Sequence, residues 1–476
     1  MSVLKSFFKD TIIYGLATVL PRLMNFILVP LHTETLDTAS YSDNTYFYIY
    51  AAFFNVLLTY GMETAFFRFF SKHKEKEKVY STTLISLLVS TTLVFFLVIF
   101  FRQSIAEAFS LRTDYFNYLV GVLALDTIVV APFAYLRATG KPLKFTAIKL
   151  INIFVYVILN FFFLWAIPKF SIEIFKYDNS DLVQYIFIAN LCASAVTLLL
   201  LSPYFFRIRW IFDKEVFKEM FSYAWPIMVA GMAYVINENF DKWLIPEVLG
   251  KDINGAYAGC YKLAVFMTIF IQAFRLGAEP FFFNYAKEKN AKTTYALIMK
   301  YFVIFGLIIL LFIIGFIDAF KALIVRDPSY WKALEIVPVV LLANLFLGIY
   351  FNLAIWYKLT DKTRFGMYIS IIGALITIGL NIWLLPEHGF IAAAWTTLVA
   401  YFVMMSVSYL LGQKYYRVPY QVSRIGFYIL IAVVLSYISF EHLRANYYLS
   451  TLLMTVFVVL VILLEKTELK ALLNRG

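Results

Sequence analysis

The sequence predicts an all-α polytopic membrane protein of about 14 transmembrane helices. Hydrophobic residues make up 62% of the 476 positions and charged residues only 15%, which is too apolar for a soluble multidomain protein. At roughly 20 apolar residues per span plus short connections, the chain is long enough for these helices but not for a sizeable soluble domain as well. Any functional site is therefore expected within the helix bundle.

The distribution of positive charge predicts the orientation of the chain. The formal net charge is +11, and alternate assignment of the loops places 27 of the 41 Lys and Arg residues on the side of the N-terminus and 9 on the other. An excess of cationic residues is typical of cytoplasmic loops. Both termini are therefore expected in the cytoplasm, and orientation in the membrane, not nucleic-acid binding, accounts for the charge.

The apolar segments form two groups of six and a final pair. The first group is expected at about 11–31, 45–69, 80–101, 115–136, 145–167 and 182–202, the second at about 226–246, 255–277, 296–317, 334–357, 366–385 and 390–411, and the pair at about 424–440 and 447–464. These spans define an N-terminal lobe (1–204), a cytoplasmic connection (205–220), a C-terminal lobe (221–412) and a C-terminal remainder (413–476). The final pair has no charge within its apolar cores and is expected to be accessory.

The seventh predicted span, PIMVAGMAYVINENFDKWLIP, carries the densest charge of any span. On a helix, Glu238, Asp241 and Lys242 stand at i, i+3 and i+4 and share one face. Ionised groups among acyl chains cost several kcal/mol, so this face is expected to point into a bundle or a water-filled cavity. A translocation pathway is one interpretation; the other is mutual neutralisation of Glu238 and Lys242, which leaves one carboxylate over.

Two further ionisable residues stand at mid-depth in predicted spans. Arg22, beside the kink expected at Pro21, lies too deep to reach either membrane surface readily, so a cavity-facing role is weighed against an ion pair with a neighbouring helix. Asp126 lies at the centre of the fourth span. Desolvation would make it a proton carrier, whereas an arginine partner would make it structural.

The sequence offers no evident metal, disulfide or catalytic site. Cys192 and Cys260 each lie within an apolar segment, where packing is the simplest explanation. The four histidines fall in loops or near span ends, without a ligand pattern: His32, His73, His388 and His442.

An internal repeat relates the two groups of six spans. A constant offset of 216 residues maps Gly15, Ala17, Val19, Leu28 and Pro30 onto Gly231, Ala233, Val235, Leu244 and Pro246, and maps Gly61, Glu63, Phe66 and Phe67 onto Gly277, Glu279, Phe282 and Phe283. An offset of 221 maps Thr139, Lys141, Leu159 and Asn160 onto Thr360, Lys362, Leu380 and Asn381. An even number of spans per copy predicts two six-helix lobes related by a pseudo-two-fold axis along the membrane normal.

The repeat also predicts where a pathway would lie. In transporters built this way, the substrate site lies near the repeat interface and access alternates as one repeat rocks against the other. Spans 1, 2, 7 and 8 would line that interface. They contain most of the charge within predicted spans: Arg22, Glu63, Glu238, Asp241, Lys242, Lys262 and Arg275.

Four segments resemble those of a known family: YGMETAFFRFF, RATGKP, YAWPIMVAG with NENFDK, and AYAGCYKLAVF. They are similar to the polysaccharide (O-antigen-type) flippases of the multidrug, oligosaccharidyl-lipid and polysaccharide exporter superfamily, over nearly the whole chain. The resemblance implies a V-shaped bundle of two six-helix lobes with two added helices. It also implies a substrate, an oligosaccharide on undecaprenyl diphosphate, flipped across the bacterial inner membrane for surface polysaccharide or lipopolysaccharide synthesis.

The resemblance assigns roles to individual residues. Arg22 aligns with a span 1 arginine typical of the family, and Lys242 occupies the basic position after the span 7 aspartate; both would bind the diphosphate. The remaining predicted contacts to the diphosphate or sugar are Lys262, Arg275, Asn237, Tyr257 and Tyr261. The carboxylates expected in the cavity or in ion coupling are Asp126, Glu238, Asp241 and Glu63.

Other functions stay open at this point. No Walker A motif is present, so an ion gradient is favoured over ATP as the energy source, and no cofactor is expected. Expected partners are the lipid-linked oligosaccharide, membrane lipids, a polysaccharide polymerase and a chain-length regulator, with no nucleic acid. The alternatives are a lipid II flippase, a cation or drug antiporter and, from another class, a membrane polysaccharide polymerase or ligase, against which the short outer loops argue.

Overall fold

The fold is all-α, as the sequence predicts. A computed structural model of the chain describes residues 24–473 except 25, 110, 174–176, 207–208 and 361, and within these residues there is no β-strand. Arg22 and most of the first predicted span lie outside the described residues.

The helices follow one another with short connections. Residues 26–35 form α1, and the others are α2 (Thr38–Thr59), α3 (Met62–Lys72), α4 (Lys76–Phe100), α5 (Arg102–Ala108), α6 (Thr113–Ile128), α7 (Val130–Ala138), α8 (Pro142–Phe161), α9 (Ile167–Phe170), α10 (Val183–Leu201), α11 (Pro203–Phe206), α12 (Lys214–Leu249), α13 (Lys251–Tyr261), α14 (Val265–Tyr285), α15 (Ala291–Gly315), α16 (Ile317–Ile324), α17 (Ile336–Leu353), α18 (Ile355–Leu359), α19 (Arg364–His388), α20 (Phe390–Tyr415), α21 (Val422–His442) and α22 (Tyr447–Leu473).

Eleven helical segments within the described part of the chain are long and apolar enough to cross a membrane. They correspond to predicted spans 3–6 and 8–14. Predicted spans 2 and 7 are helical as α2 with α3 and as α12, yet neither α2 nor α12 is among the eleven. Both helices carry many polar side chains, which bury against other helices and not in lipid.

Contacts divide the chain into two compact units, Met1–Gly255 and Ala256–Gly476. In the first unit, α12 packs along α2 and α3. In the second unit, α17 is the most buried span and packs against α20, which in turn packs against α19. The lobe boundaries predicted from the repeat stay a prediction.

The 36-residue helix α12 is the longest element. Its first turn is capped by Asp213, whose side chain accepts hydrogen bonds from the backbone N–H groups of Val216 and Glu215 at 3.1 Å. The Val216 N–H is the largest of the influences that hold the pKa of Asp213 below its usual value. Pro226 and Pro246 lie inside the helix.

A buried ionic cluster joins the last two spans to α15. Lys300 of α15 is fully buried and pairs with Glu465 and Glu468 of α22, while Arg424 and Tyr428 of α21 contact Glu465. Glu465 follows the apolar core predicted for span 14, which is why the cluster was not foreseen. Removing one partner of such a cluster would leave an uncompensated buried charge, so the cluster stabilises the packing of α21 and α22 against α15.

Candidate functional site

The charged face of α12 lies in the first unit and is mostly buried. Asn237 and Asp241 are each 2% exposed and Lys242 is 7% exposed, while Glu238 is partly buried. The Lys242 ammonium donates to both carboxylate oxygens of Asp241, at 3.0 and 3.2 Å, and to the backbone carbonyl of Glu238 at 2.9 Å. Adjacent residues therefore form an ion pair that also satisfies a helix carbonyl.

This arrangement bears on the two interpretations of span 7. The ion pair seen here joins Lys242 to Asp241, whereas the neutralising pair considered from sequence joined Lys242 to Glu238. A buried pair survives only with good geometry and added hydrogen bonds, because desolvating each ion costs several kcal/mol. The cluster is thus an expensive feature in a span that simple packing would fill with apolar residues.

The end of α12 that the loop assignment predicts to be outside is tied to the start of α2. The Tyr46 hydroxyl donates to the Trp243 carbonyl at 2.7 Å and lies 3.1 Å from a Glu247 carboxylate oxygen, and the Trp243 indole donates to the Tyr50 hydroxyl at 2.9 Å. Beyond them, three polar pairs continue the contact: Lys251 with Asp43, Thr38 with Asp252, and Asn254 with Ser42.

Sequence reasoning missed this row of contacts. Taken singly, each of these residues is a polar or aromatic residue near the end of a predicted span, which is ordinary at a membrane interface. The spacing of Ser42, Tyr46 and Tyr50 at i, i+4 and i+8 is the signal that places them on one face of α2.

Asp126 of α6 lies in a different part of the first unit. It accepts a hydrogen bond from the Ser194 hydroxyl of α10 at 2.7 Å, and the Lys149 ammonium acts on it electrostatically from α8. Lys149 itself lies 4.3 Å from the centroid of the Phe133 ring. The structural interpretation of Asp126 required an arginine partner. Its hydrogen-bond partner among the described residues is instead Ser194.

A series of hydrogen-bonded polar residues, buried or partly buried, runs through the same unit. The His32 imidazole lies 2.9 Å from the Asn160 amide oxygen, and Asn160 donates to the Tyr156 carbonyl at 2.8 Å. The Tyr156 hydroxyl in turn lies 2.8 Å from that of Tyr48. From sequence, His32 was assigned to a span end; the structure buries it, since α1 continues to residue 35 and carries the ring against α8.

In the second unit, two predicted aromatic contacts are interior residues. Tyr257 is fully buried and Tyr261 nearly so, with ring centroids 6.0 Å apart. Lys262 follows them in a short 3₁₀ turn and is partly buried. These positions are compatible with packing as well as with sugar contact, so their predicted roles stay a prediction.

Arg275 belongs to a separate ionic set in the second unit. Its guanidinium contacts a Glu279 carboxylate oxygen at 3.3 and 3.4 Å and lies 4.0 Å from the centroid of the Phe351 ring. Lys358 donates to the same Glu279 oxygen at 2.8 Å. Two cations therefore share one carboxylate.

Glu63 forms the matching pair in the first unit. It binds Arg137 at 2.9 Å, and both side chains are nearly half exposed. The sequence offset of 216 maps Glu63 onto Glu279, and the offset of 221 maps Arg137 onto Lys358. The two copies thus repeat a carboxylate-to-cation contact, although Glu63 is more open to solvent than a cavity carboxylate was expected to be.

The first unit also contains an apolar cavity of about 420 Å³ between α2, α4, α5 and α6. Its walls include Phe54, Leu57, Phe95, Phe109 and Leu119. The cavity is open on one side, so its apolar walls are accessible from outside the helix bundle.

Metal-type side chains do not gather in the part of the chain that the structure describes. No three His, Cys, Asp or Glu residues are grouped there as a metal ion would require. The candidate residues fall instead into the α12 cluster, the Asp126 set and the Glu63 pair in the first unit, and the Arg275 set and the segment Tyr257–Lys262 in the second.

Comparison with known families identifies the chain. Residues 7–283, more than half of it, match the family described as Polysaccharide biosynthesis protein. The chain belongs to this family. Residues 226–383 match a further family, MatE.

Solved structures show the same fold at low sequence identity. The chain is similar to the lipid II flippase MurJ in an inward closed conformation, with a TM-score of 0.72 and 15% identity over 96% of this chain and all of that one. It is also similar to an inward-facing multidrug resistance MATE family transporter of the MOP superfamily, with a TM-score of 0.66 and 13% identity over 86% of this chain and 96% of that one. An uncharacterized membrane protein of Methanocaldococcus jannaschii is 24% identical over 75% of each chain.

Family and fold together describe a multi-pass membrane protein of the polysaccharide biosynthesis family that shares its fold with a lipid II flippase and with MATE transporters. The predicted fold class is confirmed. The solved neighbours include a lipid II flippase and drug transporters, so the substrate does not follow from them.

Proposed function

We propose that this protein flips an oligosaccharide linked to undecaprenyl diphosphate across the bacterial inner membrane by alternating access, for the synthesis of a surface polysaccharide such as O-antigen. The observation that carries the proposal is the buried Asp241–Lys242 pair in a chain of the polysaccharide biosynthesis family. Ionised side chains are costly in an apolar span, and within a membrane they mark the pathway of a charged substrate or ion.

Lys242 supplies the chemistry that a diphosphate requires. An ammonium is a point charge with three donors, and here those donors are directed at Asp241 and at the Glu238 carbonyl. An incoming diphosphate would replace Asp241 as the anionic partner. The released Asp241 is then one of the carboxylates through which we propose ion coupling, together with Glu238 and Asp126.

Two alternatives within transport fit the fold equally well. A lipid II flippase handles the same polyprenyl diphosphate on a different sugar, and the MurJ likeness favours it. A cation or drug antiporter would favour a cavity of net negative charge, whereas the buried α12 cluster is mixed. A membrane polymerase or ligase is a weaker candidate, because the solved neighbours are transporters and flippases.

Reconstitution tests the proposal directly. Purified protein in proteoliposomes is expected to move a fluorescent lipid-linked oligosaccharide between leaflets, and Lys242→Gln to reduce the rate by tenfold or more. Lys251→Gln is the matched control, because Lys251 also pairs with an aspartate but is half exposed. Flipping by wild-type protein that Lys242→Gln leaves unchanged would reject the assigned role of Lys242.

Ion coupling needs its own measurement. Collapsing proton and sodium gradients is expected to slow flipping by the wild-type protein. Asp126→Asn or Asp241→Asn is expected to make flipping insensitive to the gradients. Flipping that continues undiminished without any gradient would eliminate coupling.

A genetic experiment addresses substrate and partners. Arg22→Ala is expected to abolish surface polysaccharide while the protein stays in the membrane and lipid-linked oligosaccharide accumulates inside. Identifying the glycan lipid that accumulates on gene deletion would name the repeat unit that a polymerase and chain-length regulator then receive. Normal surface polysaccharide in the Arg22→Ala strain would reject the proposed role of Arg22.

A further inference from the structure

The two halves of α4, which lines the cavity together with α2 and α6, differ in burial. Up to Leu87, the helix is largely buried. Beyond Ser90 most of its residues are exposed, and Val94 is 41% exposed although it lines the cavity. The outer half of α4 thus forms one wall of a space that the described residues do not fill.

The walls of the cavity determine what can occupy it. Its described lining is apolar apart from Ser90, Thr91 and Tyr60. The Thr91 side chain is 3% exposed, and its hydroxyl has no hydrogen-bond partner among the described residues. A lining with so few polar groups favours an apolar ligand over a polar one.

Helix α2 separates this cavity from the charged helix α12. Val56 of α2 packs against Gly231 of α12, where an added Cβ would lie 2.9 Å from it. Phe54 and Leu57, on the other side of α2, line the cavity. Lys242 lies eleven residues further along α12 than Gly231, about 16 Å along the helix axis, so the same two helices carry the ammonium toward one end of their contact and the cavity toward the other.

We propose that this cavity holds the polyprenyl tail of the lipid-linked substrate, an inference that rests on the proposed function. Such a lipid is anionic at its diphosphate and apolar along its chain, which complements the buried ammonium on α12 and the cavity behind α2. Phenylalanine rings in the wall offer flat faces to an unsaturated, branched chain: Phe54, Phe95, Phe109 and Phe116. The tail then stays in contact with the first unit while the headgroup crosses.

Binding measurements on the full chain in nanodiscs test the proposal with two probes, undecaprenyl diphosphate and geranyl diphosphate. Ala124→Phe fills the cavity from α6. It is expected to weaken binding of the long-chain probe about tenfold and to leave the short-chain probe unchanged, because only the long chain needs the space. Leu93→Phe, on an exposed position of α4 outside the cavity, is the matched control and is expected to change neither.

Thr91→Val separates a hydrocarbon ligand from a polar one. Removing an unpartnered hydroxyl from an apolar wall is expected to preserve or tighten long-chain binding. A tenfold loss would show that the hydroxyl bonds to a ligand and would overturn the proposal.

The remaining outcomes are distinguishable. Long-chain binding unaffected by Ala124→Phe, or equal weakening of both probes, overturns the tail site, while wild-type protein that binds neither probe overturns the proposed function itself. If Ala124→Phe does not fold, a photoreactive benzoylphenylalanine at Val94 replaces it. Crosslinks to the prenyl probe that unlabelled undecaprenyl diphosphate displaces support the site, and crosslinks to phospholipid alone reject it.

Discussion

The two copies of one sequence motif, at Gly61 and at Gly277, take different backbone conformations. Gly61 has φ +74° and separates α2 from α3, whereas Gly277 lies inside the continuous helix α14. Two residues on in each copy, a glutamate binds a cation from the end of an equivalent span, Glu63 with Arg137 and Glu279 with Lys358. The ion pair is kept while the backbone around it differs.

The neighbouring helix explains the difference. A Cβ on Gly61 would lie 2.5 Å from the Ala224 carbonyl oxygen of α12, and Tyr60 before it also has a positive φ of 34°. At Gly277 an added Cβ would meet nothing within 4 Å among the described residues. The close approach of α12 thus requires glycine in one copy, while the other copy has no such contact, so duplicated sequence does not enforce duplicated geometry.

Alanine substitution at the two glycines should show the largest difference in stability between the two copies. Gly61→Ala should destabilise the protein by about 1–2 kcal/mol because of the left-handed conformation and by about 1–3 kcal/mol more because of the clash with α12. Gly277→Ala should instead gain about 0.5–1 kcal/mol, because alanine favours a helix interior. Thermal unfolding of the purified variants in detergent measures both. Equal losses at the two sites would contradict the contrast.

Glutamine substitution at the two glutamates should give a smaller difference in stability, and here the second copy should be the more sensitive one. Glu279 neutralises both Arg275 and Lys358, so Glu279→Gln leaves two neighbouring cations uncompensated and should cost about 1–3 kcal/mol. Glu63→Gln breaks one nearly half-exposed pair and should cost less than about 1 kcal/mol. Raising the salt concentration should narrow the gap. A larger loss for Glu63→Gln would show that the exposed pair is the structural one.

The sequence predicts the fold class and much of this repeat, but not the contacts that join its parts. Composition and the spacing of apolar segments give the helices, and the constant offset gives the equivalence of Glu63 and Glu279. The cation partners could not be foreseen, because Arg137 and Lys358 reach those glutamates only through the packing of distant spans.

The candidate site shows the same division. The charged face of α12 follows from helical spacing, yet the choice of Asp241 and not Glu238 as the partner of the Lys242 ammonium depends on side-chain rotamers. Asp126 was identified as buried, while its serine partner depends on how α10 is rotated against α6. The sequence places His32 at a span end because the apolar segment stops there, whereas the helix itself continues to residue 35.

Exchanging the cations tests how specific each pair is, with the smallest expected effect. The Arg137 guanidinium binds Glu63 and also lies 4.7 Å from the Phe67 ring centroid. Arg137→Lys should therefore lose about 0.5–1 kcal/mol, since the stacking on the ring is weakened while the charge stays. Lys358→Arg keeps the charge beside Glu279 and should change stability by less than about 0.5 kcal/mol. Thermal unfolding of both variants measures these changes in stability. A silent Arg137→Lys with a destabilising Lys358→Arg would mean that shape, and not ring stacking, decides which cation each copy uses.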